Sequence, residues 1–461
     1  MKHFWVVALL LTGCAIGPNY TRPNVPAPAQ FRFDQSPEAL AKSLADAKWT
    51  ELFRDPVLDG LVTEALSGNF DLNIAAQRVV EARNAVGVQQ SFLYPTLNGA
   101  AQFGATRSSE NGSFKLPSSQ AAVAYTQAGF SLSWELDVWG RLRRLNEAAR
   151  AQYLASEDAR RGIVTTLIAD VTSSYLSLRE LDAELEIARK TKDIAQDGLR
   201  LTTLRHDRGV VTGLDVHQSE QFLFTATAQI ASIERQIAQA ENQISLLLGR
   251  NPGEIARGKS LGDLLPPAEV PAGLPSSLLE RRPDIRQAED TLIAANAQIG
   301  AARAQYFPQI TLTGLLGVQS RALASLFDGG NRQLSLVPAA TAPIFNAGRL
   351  RANVRIVEAQ KQEALIGYQK SVKTAFREVS DSLEGYRKTS EQEAQQDLLV
   401  KASRESVRLS NLRYRGGLDS FLQVLDAERN LFQAELGLAQ LRRQELLSVV
   451  QLYRSLGGGW Q

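Results

Sequence analysis

The sequence predicts a mixed α and β protein with an internal duplication, in which four strands of the membrane type are joined to very long α-helices. Three observations support this fold class: strictly alternating apolar and polar residues, two long helical stretches without proline, and a repeat at nearly constant spacing. At 461 residues, 44% of them hydrophobic, the chain is long enough to bury sizeable cores.

Charge and rare residues narrow the classes of function. The 51 Lys and Arg residues nearly balance the 49 Asp and Glu residues and are spread along the chain, which argues against a nucleic-acid partner. One cysteine and three histidines are too few for a disulfide framework or a thiolate metal site. We find no motif for nucleotide binding or covalent catalysis, so we expect neither an enzyme nor a cofactor.

The N-terminal residues have the pattern of a bacterial secretory signal. A basic start precedes the apolar run 4–11, which is too short to span a membrane, and Leu11-Thr12-Gly13-Cys14 resembles a lipobox. We therefore expect residues 1–13 to be a signal peptide, Cys14 to carry lipid, and 14–37 to form a Pro-rich tether. A buried free thiol at Cys14 is the alternative. By resemblance, Ala15 indicates sorting to the outer membrane.

Beyond a helical segment expected at 38–68, the chain repeats itself. The two copies span 69–250 and 277–461, with a linker at 251–276. Asp71 parallels Asp284 at a shift of 213 (284 minus 71), and Gly140 and Glu220 parallel Gly348 and Glu428 at a shift of 208 (348 minus 140). This spacing predicts two copies of one unit, each with a helix, two strands, a long helix, a tight turn and a helix.

Alternation predicts two strands in each copy. Apolar and polar residues alternate from Val123 to Asp137, and the four strands are predicted at about 97–107, 122–137, 309–319 and 333–345. Strands of about ten residues with one apolar and one polar face suit a membrane barrel. A half-buried sheet of a soluble domain is the alternative. No run reaches about 18 consecutive apolar residues, so we expect no transmembrane helix.

The helical segments predict the assembly. From Arg141 to about Arg208 there is no proline and there are only two glycines, so an unbroken helix would measure roughly 100 Å. The returning segment 212–250 carries apolar residues at spacings of three and four, as in a coiled coil. Four strands cannot close a barrel, because roughly eight are needed. We therefore expect several chains to share one barrel, continued by a helical tunnel around a pore.

Several motifs resemble the TolC-like outer-membrane factors, specifically the lipoprotein branch of the OprM and NodT type. They lie at 13–18, 49–58 and 279–285, and again at 294–297 and 306–308. The resemblance covers almost the whole chain. It implies a homotrimer with a twelve-stranded barrel, a periplasmic coiled-coil tunnel, and docking to a periplasmic adaptor and an inner-membrane transporter.

The implied function is passive exit of drugs or other small solutes through the outer membrane of a Gram-negative bacterium, as part of a tripartite efflux system. Because we find no motif that could supply energy, the partner transporter must supply it. Two alternatives remain open at this point. One is a type I protein-secretion duct with the same fold, and the other is a lipid-anchored coiled-coil scaffold that does not conduct.

The two helical turns supply candidate docking residues. Glycines at both turns permit a sharp helix reversal, and apolar residues at such exposed tips indicate a docking surface. Plain turn residues that pack within a trimer are the alternative. The predicted adaptor-docking tips are Arg208, Gly209, Val210, Val211, Thr212, Gly213, Leu214, Gly416, Gly417, Leu418 and Ser420.

The resemblance also implies a gate near the tips. It places the family's tyrosine at Tyr414 and its gate aspartates at Asp426 and Asp215, while Asp419 stands where an arginine is expected and Gln423 where an aspartate is expected. A carboxylate repeated by symmetry would form an acidic ring that attracts cations. Alternatively, Asp215 and Asp419 cap the helices that follow them.

His206 and His217 lie near the first turn. Neither has a cysteine or a second histidine at metal-ligand spacing on one helix face, so we expect solvated side chains and no metal site.

Overall fold

The computed structural model describes residues 15–28, 30–33, 43–107, 109, 122–266 and 271–460. The predicted signal peptide and Cys14 lie outside these residues, so lipidation stays a prediction. The described part of 38–68 contains a 3₁₀ turn, Leu44–Asp46, and two helices, α1 (Thr50–Phe53) and α2 (Pro56–Gly68).

Each copy of the repeat contains the same succession of elements. The first consists of α3 (Phe70–Ser91), β1 (Thr96–Arg107), β2 (Ala122–Leu136), α4 (Arg141–Asp207) and α5 (Gly213–Leu247). The second begins with the short helix α6 (Leu278–Arg281) and continues with α7 (Pro283–Ala304), β3 (Gln309–Ser320), β4 (Arg332–Thr341), α8 (Arg349–Arg415) and α9 (Phe421–Ser455).

The long helices are unbroken. Both α4 and α8 have 67 residues, and both α5 and α9 have 35. Helices of this length need neighbours to bury their apolar stripes, because propensity alone stabilises a helix only weakly. On α5, Ile233 and Ile244 of the predicted seam are fully buried, and Ile233 packs with Leu181 of α4 and Leu436 of α9. Among the described helices, none combines the length and apolar character needed to cross a membrane.

The four strands form one antiparallel sheet in the order β1-β2-β3-β4. The pairing runs from Thr96 with Ser133 to Arg107 with Ala122 between β1 and β2. The two copies meet where β2 pairs with β3, and β1 and β4 are the edges within the chain. The predicted fourth strand, 333–345, was too long at its end, because Thr341 pairs with Gln309, the residue at which the partner strand β3 begins.

The register places like residues on like faces. One cross-strand row contains Leu97, Leu132 and Leu336, and the next contains Phe130, Leu316 and Leu334. The opposite face carries rows such as Asn98 with Ser131 and Gln102 with Gln127. Leu334 is 80% exposed in the isolated chain. The alternation in the sequence therefore produces a sheet with an uncovered apolar face and a polar face.

The chain divides into two compact units, and each takes segments from both copies. The first contains 1–24, 78–157 and 287–368, and the second contains 25–77, 158–286 and 369–461. The sheet belongs to the first unit, and both helical reversals belong to the second. The repeat is therefore a feature of the sequence and of the element order, not a compact unit.

In the first unit, the N-terminal segment 15–22 packs onto helices. The amide of Ile16 donates to the Trp139 carbonyl at 3.1 Å, and the Tyr20 hydroxyl donates to Glu289 at 3.0 Å. Gly17 has φ +106°, and a Cβ built on it would overlap the Gly300 Cα. The beginning of the predicted tether is therefore held against α7, through a contact that only two glycines permit.

In the second unit, the motifs that carried the resemblance have structural roles. Asp55 is 1% exposed, and its carboxylate accepts bonds from the Val57 amide, the Tyr175 hydroxyl and the Lys259 amide. Arg282 is also buried and donates to Asp284 and to the Ser455 carbonyl. These groups fix helix starts and linkers by satisfying buried polar atoms.

Candidate docking tips and gate

The first helical reversal joins α4 to α5. Gly209 adopts φ +71°, its amide donates to the His206 carbonyl at 2.8 Å, and the Val210 amide donates to the Arg205 carbonyl at 2.9 Å. These bonds satisfy the last carbonyls of α4 in the manner of a Schellman end. Val210 and Leu214 are left largely exposed.

The second reversal, between α8 and α9, repeats this geometry. Gly417 adopts φ +73° and donates to the Tyr414 carbonyl at 3.1 Å, while the Leu418 amide donates to the Arg413 carbonyl at 2.9 Å. Leu418 is largely exposed, as Val210 is in the first turn. Of the predicted tip residues, Val211 and Gly213 are half-buried, and these are exposed: Arg208, Gly209, Val210, Thr212, Leu214, Gly416, Gly417, Leu418 and Ser420.

Asp215 has the geometry of the capping alternative. Its Oδ2 accepts from the Thr212 amide at 2.9 Å and from the Thr212 hydroxyl at 2.7 Å. The Thr212–Asp215 spacing is that of a capping box, which stabilises the start of α5. The carboxylate is therefore already engaged within its own tip.

Asp419 does not cap α9, because Ser420 holds the cap position. Instead its Oδ1 accepts from Arg413 Nη2 at 3.1 Å and its Oδ2 from Nε at 2.5 Å. This fork-shaped contact with the Arg413 guanidinium lowers the pKa of Asp419 from its ordinary value, so the carboxylate stays charged. Sequence reasoning missed Arg413, although the repeat places it opposite Arg205 of the first tip.

Tyr414 lies inside its own chain. It is 6% exposed, its ring centroid lies 5.2 Å from that of Phe421, and the Arg205 guanidinium lies 4.5 Å from its centroid. Val424 and Leu425 belong to the same cluster, together with Ala195 of α4 and Phe222 of α5. Within the described part of the chain, the Tyr414 hydroxyl has no hydrogen-bond partner although it is buried, an uncommon arrangement for a buried polar group.

Asp426 and Gln423 lie together. Both are exposed, and they line one groove between α8 and α9 together with Ser403, Ser406 and Ser410. Asn430 donates to Asp426 Oδ2 at 3.2 Å. Of the predicted gate residues, these two share a polar groove, whereas Asp215, Asp419 and Tyr414 are engaged elsewhere.

Glu428 is a second residue that sequence reasoning did not single out as a site. It lines the cavity that also contains Tyr414 and Phe421. Burial raises the pKa of the Glu428 carboxyl, and a hydrogen bond from Asn411 opposes this shift. The available signal was its position in the repeat, opposite Glu220.

The histidines near the first tip make local contacts. His206 Nδ1 lies 3.2 Å from the Val211 carbonyl oxygen, and His217 Nδ1 lies 2.8 Å from Glu220 Oε2. In the described ranges, no three His, Cys, Asp or Glu side chains are grouped so that they could hold a metal ion.

Repeated strand pairs with an exposed apolar face, joined to helical hairpins with apolar tips, define a class of duplicated outer-membrane channel subunits. A family model described as "Outer membrane efflux protein" matches residues 61–250 and 274–458, and the chain belongs to this family. The two matched ranges correspond closely to the two copies of the repeat.

Individual relatives agree with this assignment. The solvent efflux pump outer membrane protein SrpC of Pseudomonas putida is 39% identical over 460 residues, 98% of this chain and 97% of that protein. The cation efflux system protein CusC of Escherichia coli O6:H1 is 36% identical over 457 residues, 99% and 98% of the two chains. The crystal structure of the open-state MtrE outer membrane channel of Neisseria gonorrhoeae has a TM-score of 0.87 at 30% identity and covers 97% and 99%.

These comparisons confirm three predictions. The fold is helix-rich with four strands per chain, the protein is an outer-membrane efflux channel protein, and it is located in the outer membrane of a Gram-negative bacterium with a large periplasmic portion.

Proposed function

We propose that three copies of this chain form an exit channel that passively conducts small solutes, delivered by an inner-membrane transporter through a periplasmic adaptor. The observation that carries the proposal is the four-stranded sheet with two open edges and an exposed apolar face. In lipid each backbone amide and carbonyl must be paired, so β4 of one chain would pair with β1 of the next. Three chains would supply twelve strands, enough to close a barrel.

The polar face of the sheet would then line the pore. Asn98, Gln102, Gln127 and Ser131 are uncharged and would offer hydrogen bonds to many solutes. Glu135 lies on the same face, and its carboxylate is paired with Arg141 at 2.7 Å. The names of the relatives span solvents and cations. Both fit a duct whose substrate range is set by its transporter, and we propose small solutes as the class for this chain.

The lipid on Cys14 would attach at the end of the strands that faces the helices. Residue 15 lies beside the β2–α4 junction, since a Cβ on Gly140 would lie 2.7 Å from the Ala15 Cα. The acyl chains would therefore enter the inner leaflet beside the barrel. A Cys14→Ser variant should lose palmitate in metabolic labelling, whereas labelling that persists in this variant would contradict the assignment.

The gate would be formed by Asp426 and Gln423. Asp426 is exposed and has Asn430 as its neutral neighbour, so its charge is available to a ring of three carboxylates around the axis. Asp215 and Asp419 would instead stiffen the tips through their bonds to Thr212 and Arg413. The apolar side chains of Val210, Leu214 and Leu418 would contact the adaptor.

Single-channel recording in planar bilayers tests the channel and its gate. The wild-type protein should form cation-selective, mostly closed channels, and Asp426→Asn should reduce the selectivity or open them. Asp381→Asn is the matched control, because Asp381 is an exposed aspartate on α8 outside the groove. An Asp426→Asn channel indistinguishable from wild type would remove Asp426 from the gate, and a wild-type protein that never conducts would favour the scaffold.

A further inference from the structure

The apolar face of the sheet contains a depression near the β3–β4 connection. Its floor is formed by small residues such as Ala101 and Ala128, and its walls by Phe130, Leu316 and Phe327. Arg332 lines the same depression. This depression, called the trough below, therefore combines an apolar surface with the positive charge of Arg332.

The position of this depression along the strands follows from the connections. All four strands join helices at one end of the sheet, and the β3–β4 connection lies at the other, where β1 ends at Arg107 and β2 begins at Ala122. The residues Ala101, Ala128, Val318 and Arg332 form one cross-strand row. Since β4 begins at Arg332, this residue lies at the connection end of β4, level with the middle of β1 and β2.

The β3–β4 connection leaves apolar side chains uncovered. Phe327 is 81% exposed and Leu323 is 70% exposed. Both project from a short connection that is otherwise held by its own backbone bonds, such as Leu326 amide to Leu323 carbonyl at 3.2 Å. Large apolar groups beside an exposed arginine favour contact with an amphiphile, which has an apolar part and a charged part, over contact with water.

The β3–β4 connection carries a net positive charge. Arg321 and Arg332 flank the connection, and Asp328 is the carboxylate between them. Over the residues that the structure describes, neither arginine makes an ion pair. A guanidinium binds a phosphate through two parallel hydrogen bonds, and such a charge-assisted contact is stronger than a neutral one.

We propose that this trough is a binding site for a phosphorylated glycolipid of the outer leaflet, with an acyl chain along Ala101 and Ala128 and a phosphate on Arg332. Arg321 would meet a second phosphate of the same head group. The inference rests on the proposed function, because the apolar face must be in the membrane for lipid to reach it. The connection end then faces the outer leaflet, since the helices lie on the periplasmic side.

Native mass spectrometry of the purified protein tests this site with two probes, a bisphosphorylated lipid A and phosphatidylglycerol. The wild type should retain lipid A in preference, and Arg332→Gln should lower the retained fraction about tenfold, as expected for the loss of one charge-assisted contact. Arg321→Gln should lower it less. Arg355→Gln removes an equivalent charge from an exposed position on α8 and should leave retention unchanged.

The same spectra distinguish a failure of the lipid site from a failure of the trimeric channel. Intact trimers that retain lipid A equally with and without Arg332 would overturn the site and leave the channel proposal standing. A preference for phosphatidylglycerol would overturn the assignment to an outer-leaflet glycolipid. A wild-type protein that is monomeric under these conditions would overturn the trimer, and the site with it.

Discussion

Replacing Glu180 by glutamine is expected to remove a pH dependence from the stability of the second unit. Glu180 and Glu184 lie one turn apart on α4 and are 7% and 5% exposed. On α9, Arg443 Nε lies 3.4 Å from Glu180 Oε2, and Gln440 donates to Glu184 at 2.8 Å. Two buried carboxyl groups therefore face one guanidinium and one amide.

The physical cause is burial. It raises the pKa of Glu180 to about 7, and the charge and hydrogen bond of Glu184 add to this shift while the Arg443 charge opposes it. Because the folded-state pKa exceeds the ordinary value of 4.5, the stabilising contribution is fully present below pH 4.5 and is lost as the pH rises through 7. The folded protein is thus favoured by acid in this window.

The magnitude follows from linkage. A rise in pKa from 4.5 to about 7 corresponds to roughly 3 kcal/mol between the two protonation states. Access of water at the helix interface reduces this to about 2 kcal/mol. The neutral amide of a glutamine at this position does not titrate, so the variant should lose this part of the pH dependence.

The assay is tryptophan fluorescence during denaturant unfolding of the full chain in detergent, at pH 5 and pH 8. The free energy of unfolding of the wild type should fall by about 2 kcal/mol more than that of Glu180→Gln over this interval. Glu186→Gln, an exposed position on the same helix, is the matched control. Parallel pH profiles for wild type and Glu180→Gln would refute the reasoning.

Three further outcomes are expected. Asp55→Asn should cost about 2–3 kcal/mol of unfolding free energy, because Oδ2 accepts from Tyr175 and Lys259 while Oδ1 accepts from Val57, and an amide has only one oxygen; an unchanged denaturant midpoint would contradict this. Gly300→Ala places a Cβ 2.6 Å from the Ile16 carbonyl oxygen and should release segment 15–22, seen as faster chymotryptic cleavage after Tyr20, whereas Gly87→Ala, which meets nothing within 4 Å, should not. Tyr414→Phe removes a buried hydroxyl without a partner in the described chain and should leave the free energy of unfolding unchanged or raise it by up to about 1 kcal/mol; a clear loss would mean that the hydroxyl bonds to a neighbouring subunit.

The fold was largely predictable because the strand alternation and the helical periodicity are both visible in the sequence. The alternation around Phe130 and Trp134 sets the faces of β2, and the absence of proline over α4 permits an unbroken helix. The pairing of β2 with β3 could not be read locally, because the partners are separated by the whole length of α4 and α5. It is fixed by contacts such as that between Gly129 and Gly317, where a Cβ on the first would lie 2.6 Å from the second.

The candidate site was less predictable. The Asp215 cap follows from the Thr212–Asp215 spacing, which the sequence displays. The Asp419 contact with Arg413 depends on how the chain reverses around Gly417, and the burial of Tyr414 depends on Phe421 from the next helix. Such contacts between neighbouring helices leave no periodic signal in either helix.

The open edges of β1 and β4 have a genetic consequence. Each added chain pairs one of its two edges with an edge of the growing ring and leaves its other edge open. An incomplete ring of any size therefore still exposes one edge at each end. A chain whose β4 edge is blocked would therefore prevent the closure of each ring that it enters. If half of the chains carried such a change and three were drawn at random, about one eighth of the rings would close. Edge variants of this protein should accordingly behave as dominant alleles, whereas variants of the helical core should be recessive.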